Sequence, residues 1–128
     1  MLNSEKKFSD LSNKVIGCAI EVHRFLGPGL LESAYRNCLC HELSLNGISF
    51  ETEKPLPVSY KGCNLDCGYR IDILVEGNLI IELKSVSEIL EVHKAQLLSY
   101  MKLLGIKEGL LINFNETLLR KGVKRSVL

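Results

Sequence analysis

Charged side chains interrupt a largely apolar stretch of this 128-residue chain. Asp72, Glu82 and Lys84 lie within GYRIDILVEGNLIIELKSV, residues 68–86, which otherwise has the pattern of two buried strands joined by a turn. Carboxylates are the ligands that a hard divalent cation such as Mg²⁺ prefers. A lysine beside such a cation can stabilise negative charge on a phosphate, so the pattern suits phosphodiester hydrolysis.

The register of this hairpin decides whether the charged side chains share one face, because successive strand residues point to opposite faces. A two-residue loop, Gly77-Asn78, would pair Asp72 with Leu83 and set apolar faces against polar ones. A three-residue loop, residues 76–78, pairs Asp72 with Glu82 and places the apolar residues on one side. We therefore predict the three-residue loop.

The two opposed carboxylates need a positive charge nearby, because their β-carbons would be only about 5 Å apart. The same register pairs Arg70 with Lys84, and these cations could serve as plain ion-pair partners. The alternative is a bound cation of the Mg²⁺ type, with Lys84 projecting from the same face. From the residues alone, both interpretations stay open.

Two helices are predicted to precede these strands. Apolar residues recur at three- and four-residue spacings over residues 9–26, with Ser9 or Asp10 as the N-cap. A second helix is predicted from about residue 30 to residue 45, and Asn46-Gly47 suits a left-handed C-terminal cap.

Strand patterns begin at Ile48 and are interrupted by one further helix. Residues 49–60 contain two prolines and predict an edge or irregular strand, and the hairpin follows. A helix is predicted over residues 88–104, and GLLINF and GVKRSVL predict two last strands. The order α, α, β, β, β, α, β, β predicts one mixed α/β domain, residues 1–128, with helices packed on a sheet.

Composition narrows the class of protein. The chain is 46% apolar and 24% charged, and neither a membrane-spanning run nor a signal pattern is found, so we expect a soluble cytoplasmic protein. Its five cysteines, an odd number in a chain that does not look secreted, are expected to be reduced thiols. The spacing of Cys63 and Cys67 suits zinc poorly. A net charge of +1 does not by itself indicate nucleic-acid binding. The basic end, with Lys124 and Arg125, could contact phosphates or simply be solvated.

In this order the motifs resemble a known family. Asp72 followed by Glu82-Leu83-Lys84 is similar to the D…E-x-K core of the PD-(D/E)XK nuclease superfamily. GLLESAY, residues 29–35, is similar to the signature of its GxxExxY branch, and AQLLSYMKLLG and GLLINFN extend the resemblance over nearly the whole chain. One departure is Ile71, which stands where a proline would precede the aspartate.

The resemblance implies a restriction-endonuclease-like core of order α-β-β-β-α-β. It implies a nuclease that hydrolyses phosphodiester bonds, in DNA, with water activated by Mg²⁺ or Mn²⁺. The expected metal ligands are Asp72, Glu82, the Leu83 carbonyl and Glu32. The expected catalytic residues are Lys84, Asp72, Glu82 and Gln96, and the expected substrate contacts are Tyr100, Arg70, Lys124 and Arg125.

Each added residue also has a structural interpretation. Glu32 could complement the positive end of its helix, and Gln96 could satisfy a buried partner. Tyr35 and Tyr100 suit core aromatics with a hydrogen-bonded hydroxyl, and His93 suits a structural role. The rival function is a non-catalytic binding module with a nuclease fold. Because a chain this small offers little surface for a duplex, we expect a homodimer or a protein partner.

Overall fold

The computed structural model describes residues 8–128. Its elements are α1 (Asp10–Leu26), α2 (Glu32–Leu45), β1 (Phe50–Pro55), β2 (Val58–Tyr60), β3 (Cys63–Leu65), β4 (Arg70–Val75), β5 (Leu79–Lys84), α3 (Glu91–Leu104), β6 (Glu108–Asn113), a short 3₁₀ helix (Leu119–Gly122) and β7 (Val123–Val127). Within residues 8–128, none of the helices has the length and apolar character needed to cross a membrane.

Five strands form a mixed sheet in the order β1-β4-β5-β6-β7. Within residues 8–128, β5 and β6 are the only parallel neighbours in this sheet, and α3 connects them. The strands β2 and β3 form a separate two-stranded hairpin between β1 and β4. Without that hairpin, the run from α2 to β6 has the predicted order α-β-β-β-α-β, so the predicted fold class is confirmed.

Helices cover both faces of the sheet, because its central strands are apolar on both sides. On one face, Ile81 packs with Val15 of α1 and Leu39 of α2. On the other face, Ile80 packs with Leu97 of α3. Side chains alternate along a strand, so the even-numbered charged residues of β5 lie on the α3 face.

The α3 helix approaches β6 closely at a glycine. A Cβ on Gly109 would lie 2.8 Å from the Met101 sulfur and 2.9 Å from a methyl carbon of Leu97. Because both side chains are fully buried, this contact fixes the height of α3 above the sheet.

The start of α1 and the end of α2 agree with the sequence signals, and the start of α3 does not. Ser9 is the N-cap of α1, and its hydroxyl accepts a hydrogen bond from the N–H of Ser12 at 3.0 Å. Gly47 has a φ of 70° just after α2, in the left-handed region that the Asn46-Gly47 pair predicted. The third helix begins at Glu91, three residues later than predicted.

The stretch predicted as one strand, residues 49–60, is two strands. Pro55 ends β1, and Pro57 precedes β2, since a proline has no N–H for a sheet hydrogen bond. The β2–β3 hairpin was not predicted. Its turn residues Lys61 and Gly62 both have positive φ, 49° and 83°, as two-residue hairpin loops require.

The β4–β5 hairpin has the predicted three-residue loop, because Val75 pairs with Leu79. The predicted Leu74–Ile80 pair is also confirmed, but the pairing of the two strands runs only as far as Ile73–Ile81. Beyond that point β4 stays paired with β1, as far as Arg70 opposite Pro55, and the predicted Arg70–Lys84 and Asp72–Glu82 pairs are not made. The two strands therefore diverge where the charged residues lie.

Candidate active site

Side chains link β4 and β5 where their backbone pairing stops. The backbone N–H of Asp72 donates to Oε2 of Glu82 at 3.1 Å. The backbone N–H of Leu83 donates to Oδ2 of Asp72 at 2.8 Å. Each carboxylate thus replaces a carbonyl of the missing strand pairing, so both are held in place by main-chain donors.

The second oxygen of each carboxylate remains available. Oδ1 of Asp72 and Oε1 of Glu82 make no hydrogen bond within the described chain, although Glu82 is only 5% exposed. No side-chain polar atom in residues 8–128 is both sealed from solvent and unbonded, so these two oxygens reach solvent. They are two free acceptor oxygens on carboxylates of neighbouring strands.

The electrostatics of the pair favour the neutral form. Burial, and then the charge of Asp72, raise the pKa of Glu82 from its ordinary value of 4.5 to about 8. Burial also raises the pKa of Asp72, while the hydrogen bond from Leu83 and the charges of Arg36 and Lys84 oppose that rise. In the absence of a cation, the pair therefore holds a proton at neutral pH.

Lys84 is not the ion-pair partner of these carboxylates. Its Nζ donates to Oε1 of Gln96 at 3.3 Å, and Nε2 of Gln96 donates to the hydroxyl of Tyr100 at 3.0 Å. Among the ion pairs in the described part of the chain, none includes Asp72, Glu82 or Lys84. The simple ion-pair interpretation of the cluster is therefore wrong.

The predicted helix face is confirmed by this chain of hydrogen bonds. Gln96 and Tyr100 are four residues apart on α3 and point together toward Lys84. Tyr100 is buried, and burial followed by the charge of Glu82 raises the pKa of its phenol. The structure thus brings Asp72, Glu82, Lys84, Gln96 and Tyr100 to one place.

Three further charges surround the pair. Glu32 is exposed at the start of α2, and its charge contributes to the raised pKa of Glu82. Glu53 of β1 lies beside Asp72 of β4, because the residues on either side of Glu53 pair with the residues on either side of Asp72. The guanidinium of Arg36 in α2 approaches the Glu53 carboxylate at 3.9 Å. Arg36 and Glu53 were not predicted from the sequence. Arg36 lies one helical turn beyond Glu32, and that spacing could have indicated it.

The donor set suits Mg²⁺ better than a metal that needs a full protein cage. In residues 8–128, no three His, Cys, Asp or Glu side chains form a group that could hold a metal ion, so neither Glu32 nor the cysteines complete such a group. Mg²⁺ is usually bound by one or two carboxylates together with waters and substrate phosphates. The N–H of Leu83 points toward β4, and its carbonyl lies on the same side, since both groups of a strand residue face one neighbour.

The comparison with protein families decides the affiliation. The family model of the PD-(D/E)XK nuclease superfamily matches residues 9–126. The chain belongs to the PD-(D/E)XK nuclease superfamily. No curated protein and no solved structure matches it. The resemblance to the superfamily is therefore confirmed, and the narrower one to the GxxExxY branch stays a prediction.

Several residues near the superfamily core have structural roles. The hydroxyl of Tyr35 donates to the Gly27 carbonyl at 2.5 Å and accepts from the N–H of Leu30 at 3.1 Å, so it holds the loop before α2. Nδ1 of His93 accepts from the N–H of Leu90 at 3.0 Å and caps α3. Both roles agree with the structural alternatives.

Asn113 fixes the end of β5 and was missed in the sequence. It is fully buried, accepts from the N–H of Val86 at 3.0 Å and donates to the Val86 carbonyl at 2.9 Å. Phe114 donates its N–H to the Lys84 carbonyl at 2.9 Å. The polar residue inside the apolar run GLLINF was the available signal.

Arg70 lies at the margin of the superfamily core. Its guanidinium pairs with Asp66 at 3.7 Å and donates to the Tyr69 carbonyl at 2.9 Å. The residue is exposed, and it does not approach Lys84 as the predicted register required.

The two basic residues of β7 point to opposite faces. Leu111 pairs with both Glu82 and Lys124, so Lys124 lies on the site face, two strand spacings or about 10 Å from Glu82. Arg125 points to the other face, where it donates to the side chain of Asn13 in α1 at 2.8 Å. The structure therefore brings only Lys124 to the side of the candidate site.

Proposed function

We propose that the chain is a metal-dependent nuclease that hydrolyses phosphodiester bonds in DNA. The observation that supports it is the convergence of two anchored carboxylates, Asp72 and Glu82, beside Lys84, a cation with no ion-pair partner in the described chain. Membership of a nuclease superfamily agrees with this chemistry. In a purely structural charge cluster, the lysine would form an ion pair with the carboxylates, and their oxygens would all be hydrogen-bonded.

The free oxygens of Asp72 and Glu82 would hold Mg²⁺ or Mn²⁺, with the Leu83 carbonyl beside them and Glu32 as a further acidic group. Such an ion, when bound, polarises a phosphate and lowers the pKa of a water. The main-chain donors to Asp72 and Glu82 keep both carboxylates oriented before any ion arrives, which reduces the entropy lost on binding.

Lys84 would stabilise the negative charge that develops on the phosphate, and it would orient the attacking water. Gln96 Oε1 holds Lys84 Nζ by accepting a hydrogen bond from it at 3.3 Å, and the Tyr100 hydroxyl holds Gln96 by accepting a hydrogen bond from its Nε2. Gln96 is therefore proposed to position Lys84 and the phosphate, and Tyr100 to support it and border the substrate.

The remaining proposals concern the protein around the site. Lys124 is suited to a phosphate farther along the substrate, because it lies on the site face. Arg70 and Arg125 are proposed substrate contacts only if they leave the partners that now hold them. A single cytoplasmic domain that works as a homodimer or with a protein partner remains part of the proposal.

The alternative is a nuclease-fold binding module that does not turn over. Its supporting observation is the raised pKa of Glu82, about 8, since a carboxylate retaining its proton at neutral pH competes poorly for a cation. The net charge of +1 also gives little general attraction to nucleic acid.

Calorimetric titration with Mg²⁺ and with Mn²⁺, run beside cleavage assays on single-stranded and duplex DNA, tests the proposal. Wild type, Asp72→Asn and Glu82→Gln are compared with Glu88→Gln, an exposed acid outside the site. We expect metal binding and cleavage in wild type and Glu88→Gln, and loss of both in the two site variants. Equal residual cleavage in all four proteins would contradict the proposal, and metal binding without cleavage would favour the binding module.

A further inference from the structure

A cavity of about 490 Å³ opens between α3 and the residue that leads into β4. Its wall includes Tyr69, Val92, Tyr100 and Leu103, and Lys84 and Gln96 lie at one side. The proposed hydrolysis uses Lys84, Gln96 and Tyr100, but it gives no role to the apolar walls Tyr69, Val92 and Leu103.

The wall of the cavity exposes more apolar surface than the fold requires. Tyr69 is 45% exposed, Val92 is 65% exposed and Leu103 is 41% exposed. The Tyr69 ring contacts the buried Tyr100 ring at a centroid distance of 5.9 Å and an angle of 60°. The Tyr69 ring thus packs against a core residue and still exposes surface to the cavity, as an aromatic ring must if another ring is to stack on it.

The cavity is continuous with the candidate active site. Lys84 and Gln96 line it, and the same two side chains are hydrogen-bonded to each other at 3.3 Å. A phosphate held at Lys84 would therefore place the sugar and base of its nucleotide at the mouth of the cavity. Aromatic and apolar walls suit a base, because each of the four bases has an apolar face that stacks on a side-chain ring.

We propose that this cavity receives the base of an unpaired nucleotide next to the scissile phosphate. The substrate is then single-stranded or locally unpaired nucleic acid. A paired base is stacked on both sides and can enter only by leaving the duplex, which costs a few kcal/mol. This inference rests on the proposed function, because Lys84 is its link to a phosphate.

Fluorescence anisotropy with the full chain, in a buffer that contains a chelator to prevent cleavage, tests the base contact. The probes are a short labelled DNA strand, a strand of the same length and charge that lacks all bases, and the corresponding duplex. Wild type is compared with Tyr69→Ala, with Tyr69→Phe, which keeps the ring, and with Tyr60→Ala, an exposed tyrosine of β2 outside the cavity. Thermal unfolding checks that every variant is folded.

We expect wild type, Tyr69→Phe and Tyr60→Ala to bind the strand with bases about tenfold or more tightly than the strand without bases. Tyr69→Ala is expected to lose this preference and to bind the two strands alike. The inference is overturned if Tyr69→Ala keeps the preference, or if Tyr69→Phe loses as much as Tyr69→Ala. The inference is also overturned if wild type prefers the duplex or binds no DNA. A protein that binds no DNA would favour a different occupant of the cavity, an apolar side chain of a protein partner.

A parallel cleavage assay with Mn²⁺ separates this inference from the proposed function. Cleavage by wild type, together with a base preference that does not depend on Tyr69, overturns the base cavity and leaves the nuclease intact. A Tyr69-dependent base preference without cleavage supports the cavity and counts against hydrolysis.

Discussion

The backbone N–H of Asp72 donates to the carboxylate of Glu82 at 3.1 Å, at the point where β4 and β5 stop pairing. Leu83 returns the link by donating its N–H to Asp72 at 2.8 Å. The N–H groups of Asp72 and Leu83 therefore keep hydrogen-bond partners where the ladder stops, and those partners are the two carboxylates of the candidate site.

Replacing Lys84 separates metal binding from catalysis. Lys84→Met should lower kcat by about 10²- to 10³-fold, because it removes the charge that stabilises the phosphate in the transition state. Mg²⁺ binding should persist, since the ammonium group is no ligand. The control is Lys102→Met, an exposed lysine in the last turn of α3. Calorimetry measures Mg²⁺ binding and initial rates measure kcat. If Lys84→Met loses both Mg²⁺ binding and activity, or keeps both, the role assigned to Lys84 is contradicted.

Glu82 should make the metal-free protein less stable as the pH rises. Its pKa is about 8 in the folded protein against an ordinary value of 4.5, so the folded state keeps a proton that the unfolded chain loses. This contribution is fully present below pH 4.5 and is lost as the pH rises through about 8. Its size is about 1.4 kcal/mol per unit of pKa difference.

Urea unfolding in the presence of a chelator, at several pH values between about 5 and 8, measures this dependence. We expect the free energy of unfolding of wild type to fall across the range. Glu82→Gln, which cannot ionise, should have a flatter profile, with the remaining slope due in part to Asp72, whose pKa is also raised. A wild-type profile that is flat, or a variant that keeps the full slope, would show that Glu82 ionises normally.

Tyr35→Phe should reduce stability by about 1–3 kcal/mol, because it removes the two hydrogen bonds that the hydroxyl of the buried Tyr35 makes with the backbone of Gly27 and Leu30. The ring itself should remain in place, since it stacks on Phe114 at a centroid distance of 4.4 Å. Chemical denaturation provides the measurement. Tyr60→Phe, at an exposed tyrosine, should change stability by less than about 0.5 kcal/mol; equal effects of the two variants would contradict the role given to Tyr35.

Two glycine-to-alanine changes should have opposite effects. A Cβ on Gly122 would overlap the backbone oxygen of Asn113, so Gly122→Ala should destabilise the fold by about 1–3 kcal/mol. A Cβ on Gly17, exposed in α1, meets nothing within 4 Å. Gly17→Ala should therefore stabilise the helix by about 0.5–1 kcal/mol. Differential scanning calorimetry can rank both against wild type, and the reverse order of melting temperatures would contradict the packing around Gly122.

Periodic features of this chain were predictable from the sequence. The three-residue hairpin loop follows from the two-residue period of strands, and the shared face of Gln96 and Tyr100 follows from the helical period. The two-residue period of strands also predicts that Lys124 and Arg125, which are adjacent in the final strand, point to opposite faces of the sheet. These inferences need only neighbours in sequence.

Features that depend on tertiary contacts were not predictable. The pairing of β4 with β5 stops at Ile73 because the side chains of Asp72 and Glu82 take the next N–H donors, and no local pattern encodes that competition. The approach of Arg36 to Glu53 joins α2 to β1 across the fold. The β2–β3 hairpin was missed because each of its strands has only 3 residues.

The left-handed φ of Glu53, 51°, lies in an edge strand of the five-stranded sheet, as residues 8–128 define it. Exposed edges can recruit strands from other molecules and begin aggregation. Here Glu51, Glu53 and Lys54 place charges along β1, and the reversed φ breaks the regular row of donors and acceptors that an incoming strand would need. The side of the sheet nearest the carboxylates is thus protected against strand addition.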